Sequence, residues 1–199
     1  MWFFRYRTQF SRLLGILFLT LCAFSGRRLE QYPCAEGAMF ALGCTLAGLG
    51  AVGRLWCAQY IAGYKDEVLV EDGPYSLCRN PLYFFSFLGA LGVGFCTESL
   101  TLAAVVLLAF ALMYPAVIRH EERTLLTLFG ERYLRYMQQV PAFWPKFSNF
   151  REPRNYTVRP ETFRNEVFNA VWFLWIVGIL ELFESLGEGG ALPRFFSLW

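Results

Sequence analysis

The sequence predicts an all-α fold: a polytopic membrane helical bundle of about five transmembrane helices with one cytoplasmic amphipathic helix. Three observations predict it. Apolar residues make up 56% of the 199 and charged residues only 17%, against about 45–50% and about 25% in soluble domains. Mean hydropathy is +0.36, and the apolar residues come in runs that cross or nearly cross a bilayer. The polar residues gather instead into two segments, 63–83 and 119–146, joined by an apolar hairpin. One integral membrane domain is expected over residues 1–199.

The elements follow in order. A first span is expected from Phe10 to Ser25, with Arg5, Arg7 and Arg12 before or at its start. This reads as a retained span rather than a cleaved leader, because Arg27-Arg28 and no small-residue cleavage site follow it. A second span runs from Gly37 to Ala62, where Gly43, Ala47 and Gly50 make a stripe of small residues that lets helix backbones approach closely. Pro81 suits the first turn of a third span, Pro81 to Cys96, with Ser86, Ala90 and Gly94 as its small stripe. Thr97-Glu98-Ser99 is a tight turn. A fourth span runs from Leu100 to Ile118 and is expected to kink at Pro115. Leu125, Phe129, Tyr133, Tyr136 and Val140 then step at helical spacing, giving an amphipathic helix closed by Pro141. A last span runs from Val167 to Phe183. With the N-terminus in the cytoplasm, both polar segments face the cytoplasm and Glu184 and Glu188 lie outside.

Charge and cysteine content set limits. A net charge of +2 excludes a nucleic-acid partner as the leading reading. Nine basic residues between Arg119 and Arg164 suit a cytoplasmic face and anionic membrane lipids. The six cysteines show no CxxC spacing and read as small buried hydrophobes. Cys78, inside the first polar segment, also reads as a candidate nucleophile. Oligomeric state is not legible.

Each polar segment admits two readings from its residues. Glu121 and Glu122 are about 100° apart on a helix, so they cannot point at one atom. They are either a solvated pair offsetting a helix N-terminus or a carboxylate aimed at a cationic or hydroxylated ligand. Arg79-Asn80-Pro81-Leu82-Tyr83 is either a helix entry with an interfacial arginine and a belt tyrosine or a ligand clamp. Gly73-Pro74 forces a turn, and Tyr75 and Tyr83 offer faces on which a planar base stacks. His120 reads as an interfacial residue.

Both segments resemble a known family. Val68-Leu69-Val70, Gly73-Pro74-Tyr75 and Arg79-Asn80-Pro81-Leu82-Tyr83 are similar to the first signature of the isoprenylcysteine carboxyl methyltransferase and phospholipid methyltransferase superfamily, LV-x-x-G-x-Y-x-x-x-R-H-P-x-Y. Glu121-Glu122, Leu125, Phe129-Gly130, Tyr133, Tyr136 and Val140-Pro141 resemble the second, EE-x-x-L-x-x-x-FG-x-x-Y-x-x-Y-x-x-x-VP. The resemblance covers about Val68 to Pro145. Asn80 departs from it, standing where the family has histidine; asparagine donates and accepts hydrogen bonds but does not titrate.

The resemblance implies a membrane methyltransferase that binds S-adenosylmethionine without a Rossmann fold, and no GxGxxG follows a strand here. It implies cofactor contacts from Leu69, Val70, Gly73, Tyr75, Asn80, Pro81, Tyr83, Glu121 and Glu122. It makes Arg79, Arg119, Glu121 and Glu122 the candidate catalytic residues, and implies no metal. The acceptor would be lipophilic, an isoprenylcysteine-like carboxylate or a lipid headgroup, reached from within the membrane. A bacterial inner membrane with the site facing the cytoplasm is expected. Two other classes remain open: an NADPH-dependent reductase of sterol-reductase type, and a non-catalytic relative.

Overall fold

A computed structural model describes Gly15, residues 17–22, 24–27, 31–64, 67–190, Pro193 and residues 196–198. Of the expected first span, residues 10–14, 16 and 23 lie outside the described residues, as do Arg5, Arg7 and Arg28; residues 17–22 within it are helical. The helices are α1 (Pro33–Ile61), a single turn α2 (Pro74–Leu77), α3 (Pro81–Phe95), α4 (Leu100–Phe129), α5 (Glu131–Gln139) and α6 (Pro160–Glu188). The chain is helical as predicted, apart from two three-residue strands, β1 (Ser25–Arg27) and β2 (Phe196–Leu198), which pair in parallel.

Local chemistry sets the helix ends. α1, α2, α3 and α6 each begin with proline in the first turn, where the missing N–H has no intrahelical partner to lose. The Ser99 hydroxyl caps α4 by accepting from the Leu102 N–H at 3.3 Å. α4 ends at Gly130, whose φ of +52° breaks the helix before α5 starts. α1, α4 and α6 are long and apolar enough to cross a membrane. The 15-residue α3 spans only about 22 Å at 1.5 Å per residue, less than a bilayer core of about 30 Å.

Two expected boundaries change. α4 does not stop at Ile118 but continues through Pro115 to Phe129. The expected amphipathic helix from Leu125 to Val140 is therefore divided at Gly130: Leu125 and Phe129 finish α4, and α5 carries Tyr133 and Tyr136. Glu121 and Glu122 thus lie well inside a helix that begins at Leu100, which removes the helix-dipole reading of this pair.

Packing sets the direction of each helix. α1 and α3 form the most extensive contact, and they run antiparallel. A Cβ on Gly50 would stand 2.5 Å from the Gly89 Cα, so backbone meets backbone there. The stripe on α3 that meets α1 is Ser86, Gly89 and Gly92. Gly94 instead faces Ala103 of α4. α4 returns beside α3, with Phe87 against Phe110 and Tyr83 against Tyr114. α6 lies against α1 and α3, with Arg159 beside Gly63 and Phe173 beside Gly89. Both polar segments consequently reach the same end of the bundle. Glu36, Glu98 and Glu184 converge at the opposite end, their carboxylate oxygens within 4.8 Å of one another, beside a cavity of about 660 Å³.

Candidate functional site

The first polar segment is a turn held by the chain that follows α5. Gly73 has φ +59°, a region that disfavours side chains, and a Cβ there would fall 2.4 Å from the Tyr60 ring. Its N–H donates to the Arg151 carbonyl at 2.7 Å. The Ser76 hydroxyl donates to the Gly73 carbonyl and accepts from the Arg151 N–H. The Lys146 N–H donates to the Leu77 carbonyl, and the Arg79 N–H to the Pro141 carbonyl at 2.8 Å. Residues 141–151 therefore strap the first segment from outside.

The second segment meets the first through one carboxylate. Glu122 Oε1 accepts from Arg79 Nε at 2.9 Å and from Asn80 Nδ2 at 3.1 Å. The Arg79 and Glu122 side chains are only 10% and 14% exposed. Arg79 Nη1 also donates to the Met137 and Val140 carbonyls, at 3.0 and 2.9 Å. These lie at the end of α5, where carbonyls without helical partners favour a cation. Asn80 Nδ2 donates further to the Ala142 carbonyl at 2.9 Å. An ion pair this shielded is retained only when its hydrogen bonds are filled, and here the arginine has three acceptors.

Around this pair the expected residues fall as follows. Leu69 is buried with Tyr133, Tyr136 and Val140, joining the two segments by apolar contact. Val70 packs against the cluster of Cys57, Tyr60 and Tyr75. Tyr75 is buried; its carbonyl accepts from the Tyr136 hydroxyl at 2.6 Å, while its own hydroxyl is buried with no hydrogen-bond partner among the described residues. Pro81 opens α3, and Tyr83 meets Tyr114 edge-on at 5.4 Å. Glu121 is half-buried, and its charge acts on the Tyr75 and Tyr133 hydroxyls. Arg119 is not brought to the cluster: it is exposed, and its Nε donates to the Pro115 carbonyl of its own helix.

Electrostatics follow from burial. Desolvation pushes the Tyr75, Tyr133 and Tyr136 phenols well above their ordinary range; nearby acidic groups add to this, Glu121 at Tyr75 and Glu122 at Tyr133. All three stay protonated at neutral pH, and the Tyr136 hydroxyl donates to the Tyr75 carbonyl. Burial likewise pushes the Cys78 thiol up to about 12. A thiol held neutral is a poor nucleophile, so Cys78 packs rather than reacts.

Several contacting groups were not among the expected residues. Phe143 joins Phe84, Phe87 and Phe110 in an aromatic cluster between α3 and α4, and Trp144 beside it is 67% exposed. Arg54 reaches from α1 to Ser86 of α3. The aromatic density of Pro141–Pro145 was visible in the sequence; the inward turn of Arg54 was not, because it lay inside a span read only for its small residues.

A bundle with long apolar helices and two interlocked polar segments at one end defines a polytopic membrane protein built around a polar site. Residues 38–132 match the phospholipid methyltransferase family. The cobalt-zinc-cadmium resistance protein CzcN of Cupriavidus metallidurans is 47% identical over 160 residues, 80% of this chain and 74% of that protein. The nickel-cobalt-cadmium resistance protein NccN of Alcaligenes xylosoxydans is 44% identical over 163 residues, 82% of this chain and 76% of that protein. The protein-S-isoprenylcysteine O-methyltransferase of Saccharomyces cerevisiae is 30% identical over 132 residues, 59% of this chain and 53% of that enzyme. No solved structure matches. The chain belongs to the isoprenylcysteine carboxyl methyltransferase and phospholipid methyltransferase superfamily, and it is an integral membrane protein.

Proposed function

We propose that this chain is an S-adenosylmethionine-dependent methyltransferase that methylates a lipophilic acceptor within a bacterial inner membrane. The observation that carries the proposal is the meeting of Arg79 and Asn80 with Glu122, which gathers both signature segments at one end of the bundle. The residues fit the cofactor, because the buried Tyr75 hydroxyl is left for a ligand to satisfy and a buried polar atom is seldom left unpaired. When bound, S-adenosylmethionine supplies an electrophilic methyl group on a sulfonium.

The chain's own residues divide the remaining work. Glu122 fixes Arg79 and Asn80, and so sets the entry to α3. Glu121, turned about 100° from it, offers negative charge to the cationic end of the cofactor. Leu69, Val70, Gly73, Tyr75, Pro81 and Tyr83 shape the wall on the first-segment side. Asn80 cannot move a proton, so its place is to hold Glu122 and the Ala142 carbonyl; a neutral imidazole could make one of those two donations. Positioning of this kind supplies most of what methyl transfer needs. The aromatic face of Phe84, Phe87, Phe110 and Phe143, rimmed by the exposed Trp144, suits an acceptor arriving sideways from the lipid.

Charge supports the orientation. The segment end carries Arg119, Arg123, Arg132, Arg135, Lys146, Arg151, Arg154, Arg159 and Arg164, while the far end gathers Glu36, Glu98, Glu181 and Glu184. Basic flanks favour the cytoplasmic side, where the water-soluble cofactor is available. The names of CzcN and NccN suggest metal resistance as the physiological setting. A reductase reading has less support, since the Saccharomyces cerevisiae relative is a methyltransferase by name.

The test is transfer itself. Purified protein is incubated with deuterated-methyl S-adenosylmethionine and an extract of bacterial membrane lipids, and the extract is read by mass spectrometry. A lipophilic species that gains the labelled methyl with wild-type protein and not with Glu121→Gln is expected. No labelled species with wild-type protein would overturn the proposal.

A further inference from the structure

A guanidinium inside the bundle remains outside the site described so far. Arg54 lies on α1, within a helix apolar enough to span a membrane. Its Nη1 donates to the Ser86 hydroxyl on α3, and that hydroxyl donates in turn to the Leu82 carbonyl. Its Nε is buried and has no hydrogen-bond partner among the described residues. Among the described residues no carboxylate forms an ion pair with Arg54. A charge inside a span is expensive unless it is paired, and such residues mark ligand paths.

Its position links it to the cofactor side of the bundle. Arg54 is one turn from Cys57 on α1, and Cys57 packs in one cluster with Tyr75. Ser86 lies six residues past Asn80 along α3, about 9 Å further into the bundle. Two groups without a hydrogen-bond partner among the described residues, Arg54 Nε and the Tyr75 hydroxyl, therefore both lie near Cys57. Both donate: a guanidinium has no acceptor, and burial keeps the Tyr75 phenol protonated. A ligand that satisfies both must bring an oxygen that accepts, and a negative one answers the unpaired charge as well.

We infer that Arg54, together with the Tyr75 hydroxyl, binds an anionic oxygen of a ligand, the carboxylate of the cofactor's amino-acid end or the anionic group of the acceptor. The inference rests on the methyltransferase reading for the identity of those ligands. It adds to that reading a specificity-determining residue outside both signature segments, and it predicts that the site selects for negative charge at the depth of Ser86.

The experiment measures binding to full-length protein in detergent by calorimetric titration, for wild type and Arg54→Gln. Four probes are used: S-adenosylhomocysteine, 5′-methylthioadenosine (which lacks the carboxylate), a farnesyl thioether carboxylate, and its neutral amide. If the anion belongs to the cofactor, Arg54→Gln weakens S-adenosylhomocysteine at least tenfold and leaves methylthioadenosine unchanged. If it belongs to the acceptor, the farnesyl carboxylate weakens at least tenfold and its amide does not. Equal affinities in both proteins, or equal losses for charged and neutral probes, overturn the inference. If Arg54→Gln does not fold, Arg54→Lys is read the same way. It keeps the charge and removes Nε, so a smaller loss confined to one charged probe is expected, and no loss overturns the inference. Wild-type protein that binds neither nucleoside would fail the methyltransferase reading, while the farnesyl pair would still test the anion site.

Discussion

Arg79 and Glu122 are 43 residues apart in the chain and joined by a 2.9 Å ion pair. The pair closes the apolar hairpin of α3 and α4 at its polar end, and Arg79 also ties down the carbonyls at the end of α5. Removing the cation leaves the shielded Glu122 with Asn80 alone as partner among the described residues, together with two carbonyls that lose their donor. Arg79→Gln should destabilise the protein by about 3–5 kcal/mol, the range for breaking a buried pair. Thermal unfolding in detergent would show a clear drop in midpoint. Glu122→Gln should cost less, because its amide oxygen still accepts from Asn80 and Arg79. A midpoint unchanged in Arg79→Gln would show that the pair does not hold the segments together.

Asn80 gives the second prediction. Its amide makes two donations, to Glu122 and to Ala142. Asn80→Leu loses both donations, while Glu122 keeps Arg79 and Ala142 is exposed; the loss should be about 1–3 kcal/mol in all. Asn80→His keeps one donation and should recover part of the lost stability and of S-adenosylhomocysteine affinity. A histidine variant no better than leucine would argue that the position acts by size rather than by hydrogen bonding.

Gly73 is constrained twice, by a φ of +59° and by the Tyr60 ring where a Cβ would go. Gly73→Ala should cost about 1–3 kcal/mol from backbone strain alone, with the ring contact adding to it. Gly48→Ala is the control, since a Cβ there meets nothing within 4 Å; it should leave the unfolding midpoint nearly unchanged. Comparable losses for both glycines would contradict this account of the turn.

Cys78 gives a pH dependence of defined sign. Burial raises its thiol from an ordinary value near 9.0 to about 12. Between those values the unfolded chain releases the proton and the folded chain keeps it. The contribution is therefore complete below about pH 9 and is lost as pH rises toward 12. Cys78→Ala should flatten that part of the stability curve. Wild-type Cys78 should also resist alkylation by iodoacetamide at pH 8.5 until the protein is unfolded, whereas rapid labelling of the folded protein would show an accessible thiolate.

The sequence made the fold class, the membrane setting and the two segments legible because their signals are local. Apolar runs mark the helices, and Gly73-Pro74, Asn80-Pro81 and Val140-Pro141 mark the turns. It did not reveal that α4 continues to Phe129: a charged residue such as Arg119 reads as the end of a span, yet nothing in residues 119–129 breaks a helix until Gly130. Nor could one-dimensional spacing separate Glu121 from Glu122. Only the register of α4 against α3 assigns Glu122 to Arg79 and Asn80. Arg54 escaped notice for a similar reason, since its meaning depends on Ser86 of another helix.

The central claim is that the two polar segments together form one S-adenosylmethionine site. Calorimetric titration of S-adenosylhomocysteine tests it most directly, using wild type, Tyr75→Phe from the first segment and Glu121→Gln from the second. One-to-one binding by wild type is predicted, with affinity lowered about tenfold or more in both variants, as expected for the loss of a buried hydrogen bond or charge contact. Wild-type protein that gives no binding heat, or two variants that bind as tightly as wild type, would contradict it.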